Sequence, residues 1–155
     1  MNAEMEIEKS VLQFRHPFTA IVAGPTSSGK TYLVREILRN HQETIQRDVP
    51  KNTIKVLWCY GIWQNSYKDT IPGVDVTYTD ILPEEESLRS GKPDVIVCDD
   101  MMNEVKDDAY MSSLFTRISH HLNISIIFIV QKESTQKRQK SAHGSNILKL
   151  FPPHS

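Results

Sequence analysis

The chain has 155 residues, of which 39% are hydrophobic and 24% are charged, and its formal net charge is −1. These values are typical of one ordinary globular domain that is long enough to bury a core. They exclude a basic field over the whole chain, so any contact with nucleic acid must come from a local patch or from an assembled ring. No apolar run approaches the ~18 residues of a membrane span. Because the N-terminus also has no apolar signal segment, we expect a soluble, intracellular protein with no membrane partner.

Strands are predicted where short runs of apolar and β-branched residues occur. Five such runs lie at 18–23, 53–60, 74–78, 94–100 and 124–130. The last run is almost continuously apolar, which is typical of a parallel strand covered on both faces. Both cysteines, Cys59 and Cys98, lie within these runs. We therefore expect two reduced thiols in the core rather than a disulfide.

Helices are predicted where apolar residues recur at helical spacing between these strands. The predicted helices are one from residue 32 to about residue 45, a short acidic one ending at Gly91, and an amphipathic one over 108–121. Trp63, Tyr67 and Ile71 also have helical spacing. The alternation of strands and helices, with crossovers long enough to return the chain, predicts an α/β fold of three layers with a mainly parallel central sheet.

The most specific motif follows the first predicted strand. It is Gly-Pro-Thr-Ser-Ser-Gly-Lys-Thr, which fits the phosphate-binding loop G-x-x-x-x-G-K-[ST] at every specified position, between a strand and a helix. The glycines permit a tight turn whose successive N–H groups point at one anion, and the helix that follows adds its positive end. The sequence therefore predicts nucleoside triphosphate binding by Gly24, Pro25, Thr26, Ser27, Ser28, Gly29, Lys30 and Thr31.

Two side chains of this loop are expected to have particular roles. Lys30 is predicted to reach the β- and γ-phosphates as a point charge. The Thr31 hydroxyl is predicted to ligate Mg²⁺. The alternative is a glycine-rich turn that only connects a strand to a helix, but such a turn needs no Lys-Thr pair. We expect ATP and Mg²⁺ as cofactors, although the loop reads phosphates rather than the base.

A second motif ends the strand predicted at 94–100, where Asp99 and Asp100 follow four apolar residues as in a Walker B element. An acid at the carboxyl end of a strand near the loop can hold Mg²⁺ opposite Thr31, and we assign Asp99 to this role. Asp100 then stands where many ATPases have a glutamate that polarises the attacking water, and it can act through an ordered water. Two solvated acids at a strand end are the alternative interpretation.

The strand predicted at 124–130 is followed by Gln131. In ATPases with one strand inserted between the P-loop strand and the Walker B strand, a polar residue at this place senses the γ-phosphate. Gln131 is therefore a candidate catalytic residue with Lys30 and Asp100, and an ordinary polar strand end is the alternative. Arg117 is a candidate arginine finger toward a neighbouring subunit, but a basic residue also suits a helix C-terminus on dipole grounds alone. His120 and His121 lack the companion ligands of a metal site.

Taken together, four segments of the chain resemble a known family. They are Gly-Pro-Thr-Ser-Ser-Gly-Lys-Thr, Val-Ile-Val-Cys-Asp-Asp-Met-Met, Leu-Phe-Thr-Arg-Ile-Ser-His-His-Leu-Asn-Ile-Ser and Ile-Phe-Ile-Val-Gln. In this order they are similar to the viral genome-packaging ATPases of the FtsK/HerA superfamily, a group of P-loop NTPases of the ASCE type. The closest likeness is to the poxvirus-type ATPases and to related proteins of large DNA viruses and of virus-like elements integrated in animal genomes. The resemblance covers about residues 14–131.

This resemblance implies a ring-forming motor that hydrolyses ATP with Mg²⁺ and drives double-stranded DNA into a capsid. Viral capsid or portal proteins would then be partners, in an infected cell or in a host nucleus or cytoplasm. The resemblance also implies that Gly24 to Thr31 bind ATP, that Thr31 and Asp99 hold Mg²⁺, that Asp100 assists hydrolysis and that Gln131 senses the phosphate.

The chain departs from this family after Gln131. Family members are expected to continue with Asn and a further segment and strand, whereas a basic run over 132–140 follows here. We therefore divide the chain into an N-terminal lead-in (1–17), a P-loop NTPase domain (18–131) and a basic, flexible tail (132–155) that is truncated or divergent. Two other functions remain open, a nucleotide-binding remnant without turnover that acts as an interaction module, and a small-molecule kinase.

Overall fold

The computed structural model of the protein describes residues 13–25, 29–101, 108–131 and 147–151. The strands in this part of the chain are β1 (Phe14–Arg15), β2 (Thr19–Gly24), β3 (Ile45–Gln46), β4 (Ile54–Tyr60), β5 (Val74–Thr79), β6 (Val95–Asp99), β7 (Ser125–Gln131) and β8 (Ile147–Phe151). The helices are α1 (Lys30–Arg39), α2 (His41–Thr44), α3 (Glu85–Gly91) and α4 (Asp108–Leu122), with a 3₁₀ helix at Asn65–Lys68. All five strands predicted from the sequence are present.

The central sheet has six strands in the order β5-β4-β6-β7-β2-β8. Its first five strands are mutually parallel, and β8 is antiparallel to β2. The short strands β1 and β3 form a separate parallel pair. The prediction of an α/β fold with a mainly parallel sheet is therefore confirmed.

Helices cover both faces of the sheet because the central strands are apolar on both sides. On β6, Val95 and Val97 belong to the buried cluster that contains Val34, Ile37 and Leu38 of α1. Ile96 and Cys98, the alternate residues of β6, belong to the opposite cluster, which contains Leu88 of α3 with Phe115 and Ile118 of α4. Side chains of one strand alternate between faces, so both clusters follow from one uninterrupted apolar run. Cys59 and Cys98 are buried and not joined in a disulfide, as predicted.

The helix after the predicted P-loop is shorter than the sequence indicated. It ends at Arg39 rather than near residue 45, because Asn40 caps it by donating from its side-chain Nδ2 to the carbonyl of Glu36 at 2.8 Å. The chain then forms the one-turn helix α2, in which Thr44 Oγ1 donates to the carbonyl of Ile37 at 2.7 Å. The turn at Asn40 lets β3 pair with β1, which a continuous helix would prevent.

Two further elements differ from the expectation. The helical spacing of Trp63, Tyr67 and Ile71 corresponds only to the 3₁₀ helix Asn65–Lys68, and Tyr67 and Ile71 are buried in the core. Residues 147–151, which we expected to lie in a flexible tail, form β8 along the edge of β2. The backbone explains this strand, because the edge of β2 offers a row of N–H and C=O groups to a pairing partner. Residues 132–146 and 152–155 of the predicted tail, and residues 1–12 of the lead-in, lie outside the described residues.

In the described part of the chain, no helix has the length and apolar character needed to cross a membrane.

Candidate functional site

The predicted phosphate-binding loop connects β2 to α1. β2 ends at Gly24 and α1 begins at Lys30, so strand and helix flank the motif as its chemistry requires. Gly29 precedes the helix with a φ of 86°, a left-handed conformation that favours glycine. Thr26, Ser27 and Ser28, which we predicted to bind phosphates, lie outside the described residues.

Three neighbouring strands bring the other predicted residues to the same edge of the sheet. β7 lies between β2 and β6, with Gly24 opposite Gln131 and with Asp99 opposite Ile129. All three strands are parallel, so their carboxyl ends meet at one edge. Gly24, Asp99 and Gln131 are far apart in the sequence, and this strand order makes them neighbours.

An open cleft of about 680 Å³ lies at this edge. Its lining includes Gly29, Lys30 and Thr31 next to the loop, and Asp99, Asp100 and Gln131 at the carboxyl ends of the neighbouring strands. A cleft of this size is within the range of small-molecule sites. The structure thus gathers every described member of the predicted catalytic and metal-binding set around one space.

Lys30 is the first residue of α1, and its side chain reaches back to the end of β2. Its Nζ donates to the carbonyl of Gly24 at 2.5 Å and to that of Pro25 at 2.9 Å. Burial lowers the pKa of Lys30, while the charges of Asp100 and Asp99 oppose this effect. The ammonium group therefore lies within the field of both acids and is held by acceptors that an anion can replace.

Asp99 is the most enclosed polar group of the cleft, with only 2% of its surface exposed. A single carboxylate oxygen, Oδ2, accepts hydrogen bonds from Tyr67 Oη at 2.6 Å, from Thr31 Oγ1 at 3.2 Å and from Gln64 Nε2 at 3.3 Å. The contact with Thr31 joins the two residues that we predicted to ligate Mg²⁺. The contacts with Gln64 and Tyr67 were not predicted.

Burial and hydrogen bonding oppose each other at Asp99. Burial raises the pKa of this carboxyl above its ordinary value, and the hydrogen bonds from Tyr67 and Thr31 partly offset the increase. Burial and the hydrogen bond to Asp99 also raise the pKa of Tyr67, so the phenol stays protonated and can donate. Tyr67 is further fixed by aromatic neighbours, with ring centroids 4.9 Å from Tyr78 and 5.2 Å from Trp63.

Asp100 adopts a conformation that turns the chain away from β6. Its φ is 57°, in the left-handed region that Asp tolerates better than most residues. Its backbone N–H donates to the carbonyl of Ile129 at 2.9 Å, which fixes the turn against β7. Gly61 packs against this turn, and its N–H donates to the carbonyl of Asp99 at 3.0 Å. The turn orders the backbone beside the predicted metal ligand.

Other candidates from the sequence lie elsewhere. Arg117 is exposed on α4 and is not among the residues that line the cleft. His120 and His121 contact each other with ring centroids 5.8 Å apart. Over the residues that the structure describes, no group of three or more His, Cys, Asp or Glu side chains is arranged to hold a metal ion by itself.

The sequence around Gln64 and Tyr67 did carry a pattern, but this pattern predicted a helix rather than a contact with Asp99. We interpreted the spacing of Trp63, Tyr67 and Ile71 as helical, which places no polar group toward a strand end. In fact the 3₁₀ helix directs Tyr67 inward to Asp99. Only the tertiary fold brings this segment, 32 residues earlier in the chain, under the carboxylate.

Comparison of the chain with models of known protein families gives no match, and comparison with curated protein sequences gives none either.

Proposed function

We propose that the protein is a P-loop nucleoside triphosphatase of the ASCE type. One observation supports this most strongly. Lys30 and Thr31, at the start of the helix after the glycine-rich loop, line a single cleft together with Asp99, Asp100 and Gln131. The placement of β7 between β2 and β6 supports the ASCE assignment, because it is the inserted-strand order that the role of Gln131 presupposes. Within this class, we propose a DNA-translocating ATPase similar to the viral genome-packaging motors.

The residues at the cleft fit a magnesium ion. Mg²⁺ prefers oxygen ligands and is usually bound through one or two protein side chains together with substrate phosphates and water. Thr31 Oγ1 and Asp99 Oδ2 supply this donor set and already lie 3.2 Å apart. A Mg²⁺ bound there with ATP would neutralise charge that develops on the phosphates.

The chain's own residues would act mainly by position and charge. Lys30 would exchange its two carbonyl acceptors for phosphate oxygens, which are stronger partners because they are charged. Asp100 would accept a proton from the attacking water or orient it, and Gln131 would hydrogen-bond that water or the γ-phosphate. Asp99, held by Tyr67 and Gln64, would keep its geometry without the cost of reordering.

The coupling to double-stranded DNA rests on the resemblance described above. The strand β8 agrees with the further strand that this family pattern leads us to expect after the glutamine. A ring of subunits, with capsid or portal proteins as partners, belongs to the same proposal.

The test is ATP hydrolysis by the purified chain with and without double-stranded DNA. We expect turnover that DNA stimulates and that Lys30→Ala and Asp100→Asn reduce by at least about 100-fold, since each removes charge or proton transfer at the reacting centre. Lys68→Ala is the matched control, because Lys68 is an exposed lysine outside the lining of the cleft.

Three results would contradict parts of the proposal. Nucleotide binding without turnover under any condition would favour the interaction module. Transfer of phosphate to a small acceptor in preference to water would favour a kinase. Equal turnover in Lys30→Ala and in the native chain would refute the assignment of the site.

A further inference from the structure

A second cavity, of about 440 Å³, lies at the opposite edge of the sheet, next to the residues that precede β6 and β7. Its charged lining is mostly basic, with one acid, and comprises Arg47, Lys51, Arg89, Lys92, His121 and Asp94. In a chain with 18 basic and 19 acidic residues, this is a local excess of positive charge.

Asp94, the one acid among the described residues of the lining, already accepts hydrogen bonds on both of its carboxylate oxygens. Asp94 Oδ1 accepts from Lys51 Nζ at 2.7 Å and from Arg47 Nη2 at 3.0 Å, and its Oδ2 accepts from the backbone N–H of Lys55 at 2.8 Å. Asp94 is 5% exposed. It therefore positions Arg47 and Lys51 but cannot neutralise the rest of the lining.

The positive charges of the other basic side chains are only weakly offset by acidic groups or hydrogen-bond acceptors. Arg47 is largely buried, and its Nε and Nη1 have no hydrogen-bond acceptor among the described residues. Arg89 has a distant surface pairing with Glu85 at 3.6 Å, which is worth little in water. Lys92 is exposed at the rim. A buried guanidinium of this kind strengthens the positive potential of the cavity, because its charge acts through protein rather than through solvent.

This cavity is separate from the nucleotide cleft. Asp94 precedes β6 and Asp99 ends it, so the two sites are about 17 Å apart at a strand rise of about 3.3 Å per residue. A ligand at the second cavity is therefore not the phosphate chain of the nucleotide bound at the first.

We propose that this cavity binds a backbone phosphate of a nucleic acid. The opening is rimmed by long, exposed cationic side chains, Arg89 and Lys92, which suits a phosphate on a polymer that passes across the surface. Among the described residues of the lining there is no Phe, Tyr or Trp on which a base would stack, which favours backbone contact over recognition of a free nucleoside. The choice of double-stranded DNA as the polymer rests on the proposed function.

The test measures binding of a short fluorescent DNA duplex, without nucleotide, over a range of salt concentrations. The cavity variant is Arg89→Gln with Lys92→Gln, and the control is Arg15→Gln with Lys68→Gln, which removes the same charge from exposed residues outside the cavity. ATP binding is measured on both variants in parallel, and pyrophosphate at matched ionic strength is a second probe.

We expect the cavity variant to bind the duplex roughly tenfold or more weakly, and the slope of log affinity against log salt to fall in magnitude by about 0.9, the value for one lost phosphate contact. The control should keep the native slope, and both variants should bind ATP normally.

Equal duplex affinities for the two variants would overturn the inference, as would pyrophosphate binding at the cavity without duplex binding. These failures are distinct from failure of the proposed function. Duplex binding that depends on the cavity, in a chain that neither binds nor hydrolyses ATP, would support the inference and refute the ATPase.

Discussion

At the scale of single residues, the carboxylate of Asp99 defines the candidate site. One of its oxygens accepts three hydrogen bonds from two separate segments of the chain, from Thr31 in α1 and from Gln64 and Tyr67 at the 3₁₀ helix. A buried acid needs such partners, because desolvation of an unpaired charge costs several kcal/mol. The donors keep the carboxylate oriented toward Thr31, where the proposed metal would lie.

The phenol of Tyr67 makes the shortest of these contacts, and its removal is a direct test of this arrangement. Tyr67→Phe keeps the ring in the aromatic cluster but leaves the buried Asp99 without its 2.6 Å donor. We expect the free energy of unfolding at neutral pH to fall by about 1–2 kcal/mol. Urea denaturation measures the change. Tyr32→Phe, at a tyrosine that is 69% exposed, should have almost no effect, and similar losses in both variants would contradict this role of Tyr67.

At the residue scale, some members of the candidate site were predicted from the sequence and others were not. Lys30, Thr31 and Asp99 were predicted to belong to one site, with Thr31 opposite Asp99, because the two motifs specify residue types at fixed distances from strand ends. Tyr67 and Gln64 belong to no motif. Their role depends on a loop conformation that local spacing does not encode, since aromatic residues four apart occur both in helices and in irregular segments.

At the scale of elements, the backbone after β4 and the backbone after β6 lie in close contact beside the cleft. Gly61 follows β4 directly, and a Cβ at this position would meet the carbonyl oxygen of Asp100 far inside van der Waals contact. The atom that such a Cβ would meet belongs to the backbone rather than to a flexible side chain. The clash can therefore be removed only if the turn at Asp100 moves. The close approach of the two strand ends therefore needs a glycine.

Gly61→Ala should displace this turn. We expect a loss of about 2 kcal/mol or more in the free energy of unfolding, together with weaker nucleotide binding, because the turn positions Asp99 and Asp100. Denaturation and binding of a fluorescent ATP analogue are the measurements. Gly91→Ala is the control, since a Cβ there has no heavy atom within 4 Å, and it should be neutral or slightly stabilising. A Gly61→Ala protein with native stability and binding would show that the turn is not constrained.

The order of the elements was only partly predictable. Alternating strands and helices indicated a parallel sheet, and the apolar run of β7 indicated a central position. The pairing of β8 with β2 was missed, because a five-residue strand after a polar, basic run has no partner that the local pattern identifies.

At the scale of the whole molecule, Asp94 joins distant segments at the edge of the sheet opposite the cleft. Arg47 and Lys51 precede β4, whereas Asp94 precedes β6. Burial by itself would raise the pKa of Asp94, but the hydrogen bonds from Lys51 and from the Lys55 N–H and the charge of Arg47 outweigh burial and lower this pKa below 3.8. The folded state therefore favours the ionised carboxylate.

The stability due to Asp94 should depend on pH. A lowered pKa means that this stability is present above the unfolded-state value and is lost as the pH falls through the folded-state value. We expect Asp94→Asn to reduce the free energy of unfolding by about 3 kcal/mol at pH ~7, and by much less at an acidic pH below the lowered pKa of Asp94, where the native carboxyl is also neutral.

Urea denaturation of both proteins at the two pH values measures this difference. Burial lowers the pKa of His16 to about 4, and the charge of Asp94 raises it. The substitution therefore also alters the titration of His16, and this contributes to the difference measured in acid. Asp48→Asn is the control, because among the described residues Asp48 pairs with Arg15 at the exposed surface and should matter little at either pH. An Asp94→Asn effect that is the same at both pH values would contradict the ionic origin of this stability.

The sequence by itself determined the elements and the residue types of the site. Strand and helix periodicity, the two motifs that we predict to bind phosphate and metal, and a polar residue at a strand end are all local signals. The tertiary structure alone decided that β7 lies between β2 and β6, that Tyr67 and Gln64 hold Asp99, and that basic residues surround Asp94. The physical reason is that these contacts join residues that are far apart in the sequence, 32 positions for Tyr67 with Asp99 and 47 positions for Arg47 with Asp94. Which residues meet is therefore decided by the packing of the whole chain rather than by neighbours in sequence.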